Sequence, residues 1–317
     1  MRSLVPEWSA DIRHRMVIPR RIHPAIKQSL QQLAAFLAQH IDLDIIFSRQ
    51  ASIGLPENTA IWLRDYHPLP VSDSETGERG HIAFAYSPAY GPRLAAHAVL
   101  EVQQRLTPHA FGSELVIEGG NLVHNGLGDI VMTTRVLADN ALTDEQFTTR
   151  LSEIILVRNL ILLPEEPGDI TGHIDAGVRF ITPNVVALNY YPGMPAVWRR
   201  WFDEVQARLR TQFEIIQVNS EPPLEIYGER FPSVYGNRLN WIRHTDTVLF
   251  PSFGLPEDRR LPKTLAEFGL NAVPVPQDKF ALLTHFGGSL HCLTAECLRA
   301  NSYRPNDLRD LRRRRKI

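Results

Sequence analysis

Cys292 stands in the run "HFGGSLHCLT", directly behind a Gly-Gly-Ser-Leu-His turn. A thiol becomes a nucleophile when its thiolate is stabilised or a neighbouring group takes its proton. His173 and Asp175 come as a pair in "DITGHIDAGVRF". If "HID" is extended, the two side chains share one face. The imidazole can then shuttle protons near neutral pH, and the carboxylate can orient it or hold a cation. Asp65 in "IWLRDYHPL" and Glu118 in "VIEGGNLV" are carboxylates set in apolar runs. An unmatched charge in such a run is costly, so each invites a functional reading. Thiol, imidazole and three carboxylates are the parts needed to attack the carbon of a cationic centre.

Each signal also has a plainer reading. Cys292 can be a buried structural cysteine, and the His173–Asp175 pair a solvated turn. Asp65 can neutralise Arg64, although strand alternation in "WLRD" would send Asp65 to the pocket and Arg64 away from it. Glu118 can be a charge that guards a strand edge. A helix starting near Thr294 would set its positive end beside the Cys292 sulfur and favour the thiolate. Cys297 reads as a small buried filler. The rival chemistry is a zinc or iron set drawn from His173, Asp175, His291, Glu118 and Asp65. Against it, the sequence holds no H-E-x-x-H and no short His/Cys cluster of ligand spacing. No P-loop or dinucleotide fingerprint is present either.

Asp65, Glu118, His173, Asn240 and Cys292 follow one another at intervals of 53, 55, 67 and 52 residues. Residues spaced by one repeat length can converge on a common axis in a radial arrangement. The elements that must position them follow a similar rhythm. Helical periodicity marks "PAIKQSLQQLAAFLAQH", "RLAAHAVLEVQQRL", "TDEQFTTRLSEII" and "VWRRWFDEVQARLRTQ", with Thr143 or Asp144 able to cap the third. Short β-branched runs between them read as strands: "LDIIFS", "HIAFAYSP", "ELVIEGG", "DIVMTT", "NVVALNY", "FEIIQVNS", "TVLFPSFG" and "KFALLTH". The stretch around "NGLGD" looks like an antiparallel hairpin, so a purely parallel sheet fits poorly. A strand-strand-helix-strand α/β module, repeated along one domain over residues 1–317, is the expectation.

The chain's 317 residues, 44% of them hydrophobic, suffice for a large core. Its net charge of -1 gives no global attraction to nucleic acid. The basic tail "RDLRRRRKI" reads as a frayed, solvated terminus. No run approaches the roughly 20 apolar residues of a membrane span, and no secretory leader is visible. Two cysteines do not make a disulfide framework, so a reducing cytoplasmic setting is expected.

The motifs "WLRDYHP", "EGGN", "TGHID" and "GGSLHCLT", in this order, resemble those of the agmatine deiminase and bacterial-type peptidyl-arginine deiminase family. That family belongs to the guanidino-group-modifying superfamily. The resemblance runs from about Ile61 to Glu296. It implies a five-bladed α/β propeller (pentein) of ββαβ modules around a central active site. It further implies that Asp65 and Asp175 grip a guanidinium, with Glu118 bonding its nitrogens beside His173. His173 would be general acid and base, and Cys292 the nucleophile. Trp62 and Asn240 would complete the substrate site, with a loop at Gly254 nearby. The implied reaction is hydrolytic deimination to a ureido product and ammonia, with no metal or organic cofactor. For agmatine it would serve putrescine biosynthesis. The implied partner is a small guanidino substrate, and a homodimer is common in the family. An amidinotransferase and a non-catalytic guanidinium binder are the alternatives. Five positions depart from the usual pattern: His67 and Ser289 stand in place of Gly, Thr171 in place of Asp, and Ala176-Gly177 where agmatine enzymes carry other residues. They are expected to alter the pocket rim.

Overall fold

The computed structural model describes residues 1–48, 60–88, 96–221 and 234–299. The chain opens with β1 (Arg2–Leu4), β2 (Ile12–Pro19), helix α1 (Pro24–Leu37) and β3 (Leu43–Ser48). A short helix α2 (Leu63–Tyr66) leads into β4 (Leu69–Asp73), β5 (Arg79–Ala85), α3 (Ala96–Leu106) and β6 (Phe111–Val116). A 3-10 turn at Gly119–Asn121 precedes β7 (Val123–His124), β8 (Asp129–Thr133), α4 (Arg135–Asn140), α5 (Asp144–Ser152) and β9 (Asn159–Leu163). Next come β10 (Val178–Thr182), β11 (Val185–Tyr190), α6 (Ala196–Leu209) and β12 (Glu214–Asn219). The last part holds β13 (Ile242–His244), β14 (Thr247–Ser252), α7 (Leu261–Ala266), β15 (Asn271–Pro276), α8 (Ala281–Thr284) and β16 (Thr294–Leu298).

These strands form five small sheets on one plan. In each, two strands pair antiparallel and a third lies parallel to the second; β1 adds a fourth strand to one of them, antiparallel to β4. Thus β10 pairs antiparallel with β11, and β11 parallel with β12. Parallel neighbours need a long crossover, and α6 supplies it here. The same plan holds for β4-β5-β6, β7-β8-β9 and β13-β14-β15. The remaining sheet joins the two ends of the chain: β16 pairs antiparallel with β2, and β2 parallel with β3 across α1. The middle strands β8 and β11 are buried almost throughout, which is why they read as continuous apolar runs.

The hydrophobic cores lie between neighbouring sheets. Leu69, Ile82 and Leu115 pack with Ile130, Met132 and Phe147. Val131 and Leu163 pack with Val178, Val186 and Trp201. Ile181, Ala187 and Val218 meet Trp241, Val248 and Leu265. Ile242, Leu249 and Val275 meet Met16, Ile18 and Leu33. Finally Val17 and Ala295 pack against Leu63, Tyr86 and Val102. Each blade shares a core with the next and the fifth shares one with the first, so the ββαβ modules close into a five-bladed α/β propeller.

Local chemistry explains most element boundaries. Thr143 Oγ1 accepts the Gln146 N–H at 3.3 Å while Gln146 Oε1 accepts the Thr143 N–H at 3.0 Å, a capping box that starts α5. The "NGLGD" hairpin forms as expected, with Val123 opposite Val131. Trp201 and Phe202 of "VWRRWF" turn inward, and the Trp201 indole donates to the Pro164 carbonyl at 2.9 Å.

Four local expectations need correction. "KFALLTH" holds the helix α8 and not a strand, because Phe280 and Leu283 enter the core three residues apart, a helical spacing. "WLRD" is the short helix α2, so strand alternation does not separate Arg64 from Asp65. "HID" is not an extended strand; Asp175 opens a turn that leads into β10. The residues from Thr294 form strand β16, not a helix, because they pair with β2 in the blade that joins the chain ends. The helix expected to start at Thr294 beside Cys292 is therefore absent. Cys297, on that strand, is buried as expected. The basic tail and residues 93–95 of the second helical run lie outside the described residues.

Candidate active site

Each blade contributes the segment that leads into its first strand. Asp65 lies ahead of β4, Glu118 ahead of β7, His173 and Asp175 ahead of β10, Asn240 ahead of β13, and Cys292 ahead of β16. The regular intervals in the sequence are thus the blade repeat.

Hydrogen bonds lock these segments to one another. The Arg64 N–H donates to the Cys292 carbonyl at 3.2 Å. The Arg64 guanidinium forms a buried two-point ion pair with Glu296 of β16; Nη2 donates to Oε1 at 2.7 Å, and Nη1 makes a second, shorter bond to Oε2. Arg64 is therefore neutralised by Glu296 and not by Asp65. The N–H groups of Ile174 and Asp175 donate to the Gly120 carbonyl at 3.2 and 3.0 Å. The two glycines of "EGGN" make this approach possible. A Cβ on Gly119 would lie 2.1 Å from the Arg64 carbonyl oxygen. One on Gly120 would lie 2.5 Å from His173 Nδ1 and 3.0 Å from Asp65 Oδ1. Trp62 covers the turn before Cys292, where a Cβ on Gly288 would meet its ring at 2.1 Å.

His173 sits between two carboxylates, with Nε2 2.7 Å from Glu118 Oε2 and Nδ1 3.6 Å from Asp65 Oδ1. Burial alone would lower its pKa. The Asp65 charge, the bond to Glu118 and the charges of Glu118 and Asp175 outweigh burial and raise it to about 10. His173 is therefore an imidazolium at neutral pH. Asp175 is buried and bonds His291 Nδ1 at 2.6 Å. Burial raises its pKa to about 6, against the pull of His173 and Arg179.

Asn240 ties Asp175 to the sulfur. Its Nδ2 donates to Asp175 Oδ2 at 3.2 Å and to Cys292 Sγ at 3.2 Å. Its Oδ1 accepts the His291 N–H at 3.1 Å. Cys292 is half-buried, with Sγ 3.9 Å from Asp175 Oδ2. Burial, then the charges of Asp175 and Asp65, push its thiol well above the ordinary range. At neutral pH the sulfur is therefore held as a neutral thiol.

The five residues of the rival metal set do not gather around one point. Asp65, Glu118 and His173 place one ligand atom each within 4.8 Å of one another. Asp175 and His291 instead bond to each other. A second group within that limit, Glu7, His291 and Glu296, has its carboxylates taken by Arg179 and Arg64. Glu7 and Arg179 drew no functional reading from the sequence, and His291 entered it only as a candidate metal ligand. Glu7 had no motif around it to draw notice.

The departures from the usual motifs leave this geometry intact. Thr171 Oγ1 and Asp169 Oδ2 both accept the His173 N–H, at 3.2 and 3.1 Å. His67 bonds Pro68 and Arg15 and touches no site residue in these bonds. Ser289 is fully buried. Gly254 has a left-handed backbone, with nothing within 4 Å of a Cβ placed on it.

Fold and site define a guanidino-modifying class of enzyme. The Porphyromonas-type peptidyl-arginine deiminase family matches residues 5–297, and the chain belongs to that family. Among solved structures, the C. jejuni agmatine deiminase superposes with a TM-score of 0.75 at 19% identity, covering 94% of this chain and 97% of that one. The agmatine deiminase of Enterococcus faecalis gives 0.75 at 17% identity, covering 94% and 96%. The DDAH from Pseudomonas aeruginosa gives 0.53 at 16% identity, covering 90% and 98%. These likenesses show the fold. A search of curated proteins found no match.

Proposed function

We propose that the protein hydrolyses a small guanidinium compound, agmatine or an arginine derivative, to the ureido product and ammonia. Cys292 is the nucleophile, His173 the acid and base, and Asp65, Asp175 and Glu118 hold the substrate. The observation that carries this reading is the convergence of a thiol, an imidazolium and three carboxylates from four different blades. A planar cation offers two edges of N–H donors, and paired carboxylates accept them while offsetting the cost of desolvation. Trp62 and Asn240 flank the same space. Both cysteines are free, which suits a reducing cytoplasm.

The mechanism follows from the charges. Asp65 and Asp175 disfavour the thiolate, and a bound guanidinium cancels that repulsion. The half-buried thiol then gives its proton to solvent, and Sγ attacks the guanidinium carbon. His173, already an imidazolium, donates its proton to the departing amine, and ammonia leaves. An S-alkylthiouronium remains on Cys292. The now neutral His173 takes a proton from water, which attacks the same carbon. Collapse expels the sulfur and releases the ureido product.

The test is a panel of agmatine, free arginine, a peptide ending in arginine and methylated arginines. Ammonia and ureido product are both measured, with Cys292→Ala as control. Turnover of at least one member, lost in the variant, is expected. Transfer of the amidino group to an added amine would replace hydrolysis by transferase chemistry. Turnover that survives in Cys292→Ala would remove the nucleophile assignment.

A further inference from the structure

The N-terminal segment between β1 and β2 reaches Arg179, Arg243 and His291 through Glu7. Glu7 of this segment is buried and forms a short ion pair with Arg179 of β10. Its Oε2 accepts the Arg243 N–H at 3.4 Å, and the Arg243 guanidinium stacks over Trp8 at 4.5 Å. Glu7 Oε2 stands 3.8 Å from His291 Nε2, on the side of the ring opposite to Asp175. Three residues from distant parts of the chain therefore form one row, Glu7–His291–Asp175, that ends at the substrate pocket.

We propose that His291 is a positioning residue: its Nδ1–H, donated to Asp175 Oδ2, fixes that carboxylate for the guanidinium, and Glu7 backs the ring from below. This inference rests on the reading of the site as a guanidinium pocket. A carboxylate oxygen at 2.6 Å from an imidazole nitrogen needs a hydrogen between them. Burial, then Arg179, Arg64 and His14, hold His291 neutral, so one ring nitrogen carries hydrogen. The Asp175 contact assigns it to Nδ1, which leaves a lone pair on Nε2. An ionised Glu7 would repel that lone pair. At 3.8 Å Glu7 Oε2 lies beyond hydrogen-bond reach of that lone pair, and its charge is matched by Arg179, which eases the clash. The charged and titratable groups that act on this row are Arg64, Arg179, Arg243, Glu296, His14, His173 and Asp65. Asp175 then reaches the pocket with one oxygen tied down by His291 and Asn240.

The test compares two alkylating agents at the same thiol. Chloroacetamidine carries a cationic amidinium that needs Asp175. Chloroacetamide has similar size and no charge. The rate of Cys292 modification by each is followed by mass spectrometry, and buried Cys297 serves as internal control. The ratio of the two rates cancels any general change in thiol reactivity or folding. The wild type is expected to favour the amidine. His291→Asn keeps a donor in the Nδ1 position and is expected to keep most of that preference. His291→Gln places its amide at the Nε2 end and is expected to lose roughly tenfold, as for a hydrogen bond to a charged group. His291→Ala should lose as much. Equal ratios in the Asn and Gln variants, or a wild-type ratio in either Gln or Ala, would overturn the positioning role alone. A wild type without amidine preference would instead overturn the guanidinium pocket and the positioning role with it.

Discussion

Gly120→Ala isolates the close approach on which the site depends. The new Cβ would sit 2.5 Å from His173 Nδ1 and 3.0 Å from Asp65 Oδ1. Ordinary contact begins near 3.4 Å, so His173 must move by about 1 Å or the Gly120 backbone must withdraw. Withdrawal is resisted, because the Gly120 carbonyl accepts two N–H groups from the "HID" segment. The ring therefore moves, and its bond to Glu118 moves with it. A misplacement of about 1 Å costs on the order of 100-fold in rate, or about 2.7 kcal/mol of transition-state stabilisation. Overpacking itself costs about 1–3 kcal/mol of stability, which a protein of this size survives. The assay is kcat/KM for the preferred guanidino substrate, read as ureido product, with a thermal melt of the same sample. Gly112→Ala is the control, since its Cβ would meet only the Leu100 side chain at 3.8 Å. If Gly120→Ala keeps more than a third of wild-type kcat/KM, His173 is not held where the geometry says it acts.

Three further outcomes are expected. Arg64→Met should destabilise the fold by about 3–5 kcal/mol in chemical denaturation, because it strands the buried Glu296 carboxylate; a loss under about 1 kcal/mol would contradict the pairing. His14 is fully buried, and burial lowers its pKa to about 4. Unfolded, it takes a proton near 6.5, so the unfolded state binds more protons between pH 6.5 and about 4. Stability therefore falls with falling pH across that window, by at most about 1.4 kcal/mol per pH unit for this group. His81 and His124, lowered to about 3 and about 4, act in the same direction. His14→Leu should flatten the fall in unfolding free energy between pH 7 and pH 5, and an unchanged slope would remove His14 from the account. Lastly, neutral iodoacetamide should modify Cys292 slowly at pH 7 and faster only above pH 9, since the free thiol is pushed up. Fast modification at pH 7 would mean that the thiolate forms without a cation.

The site was legible because the blade repeat is written in its chemistry. Asp65, Glu118, His173, Asn240 and Cys292 each precede a blade's first strand, so their spacing carried the radial arrangement even where the blade sequences share little. What the sequence hid were conformations decided by distant partners. "TAECL" becomes strand β16 only because β2, nearly the whole chain away, supplies its ladder. "WLRD" becomes a helix tied to the Cys292 turn through Arg64. "KFALLTH" was too short and too uniformly apolar for its period to separate helix from strand. Glu7 sits in a polar loop with no motif around it, and only the Arg179 pair and the His291 ring give it meaning.

The arginines near the site bear on how it selects its substrate. Arg64 neighbours Asp65 in sequence and Arg179 lies close enough to lower the pKa of Asp175. Either guanidinium, left unpaired, could compete for the carboxylates meant for substrate. Glu296 holds the first and Glu7 holds the second, each in a buried pair. Neither arginine is then spent on Asp65 or Asp175, and burial together with the charges of these two carboxylates keeps Cys292 protonated. A planar cation satisfies these carboxylates and removes the penalty on the thiolate in the same step. A neutral or anionic molecule does neither. In the proposed reaction, binding specificity and nucleophile activation would then be a single electrostatic event, in which a guanidinium substrate supplies the charge that makes Cys292 reactive.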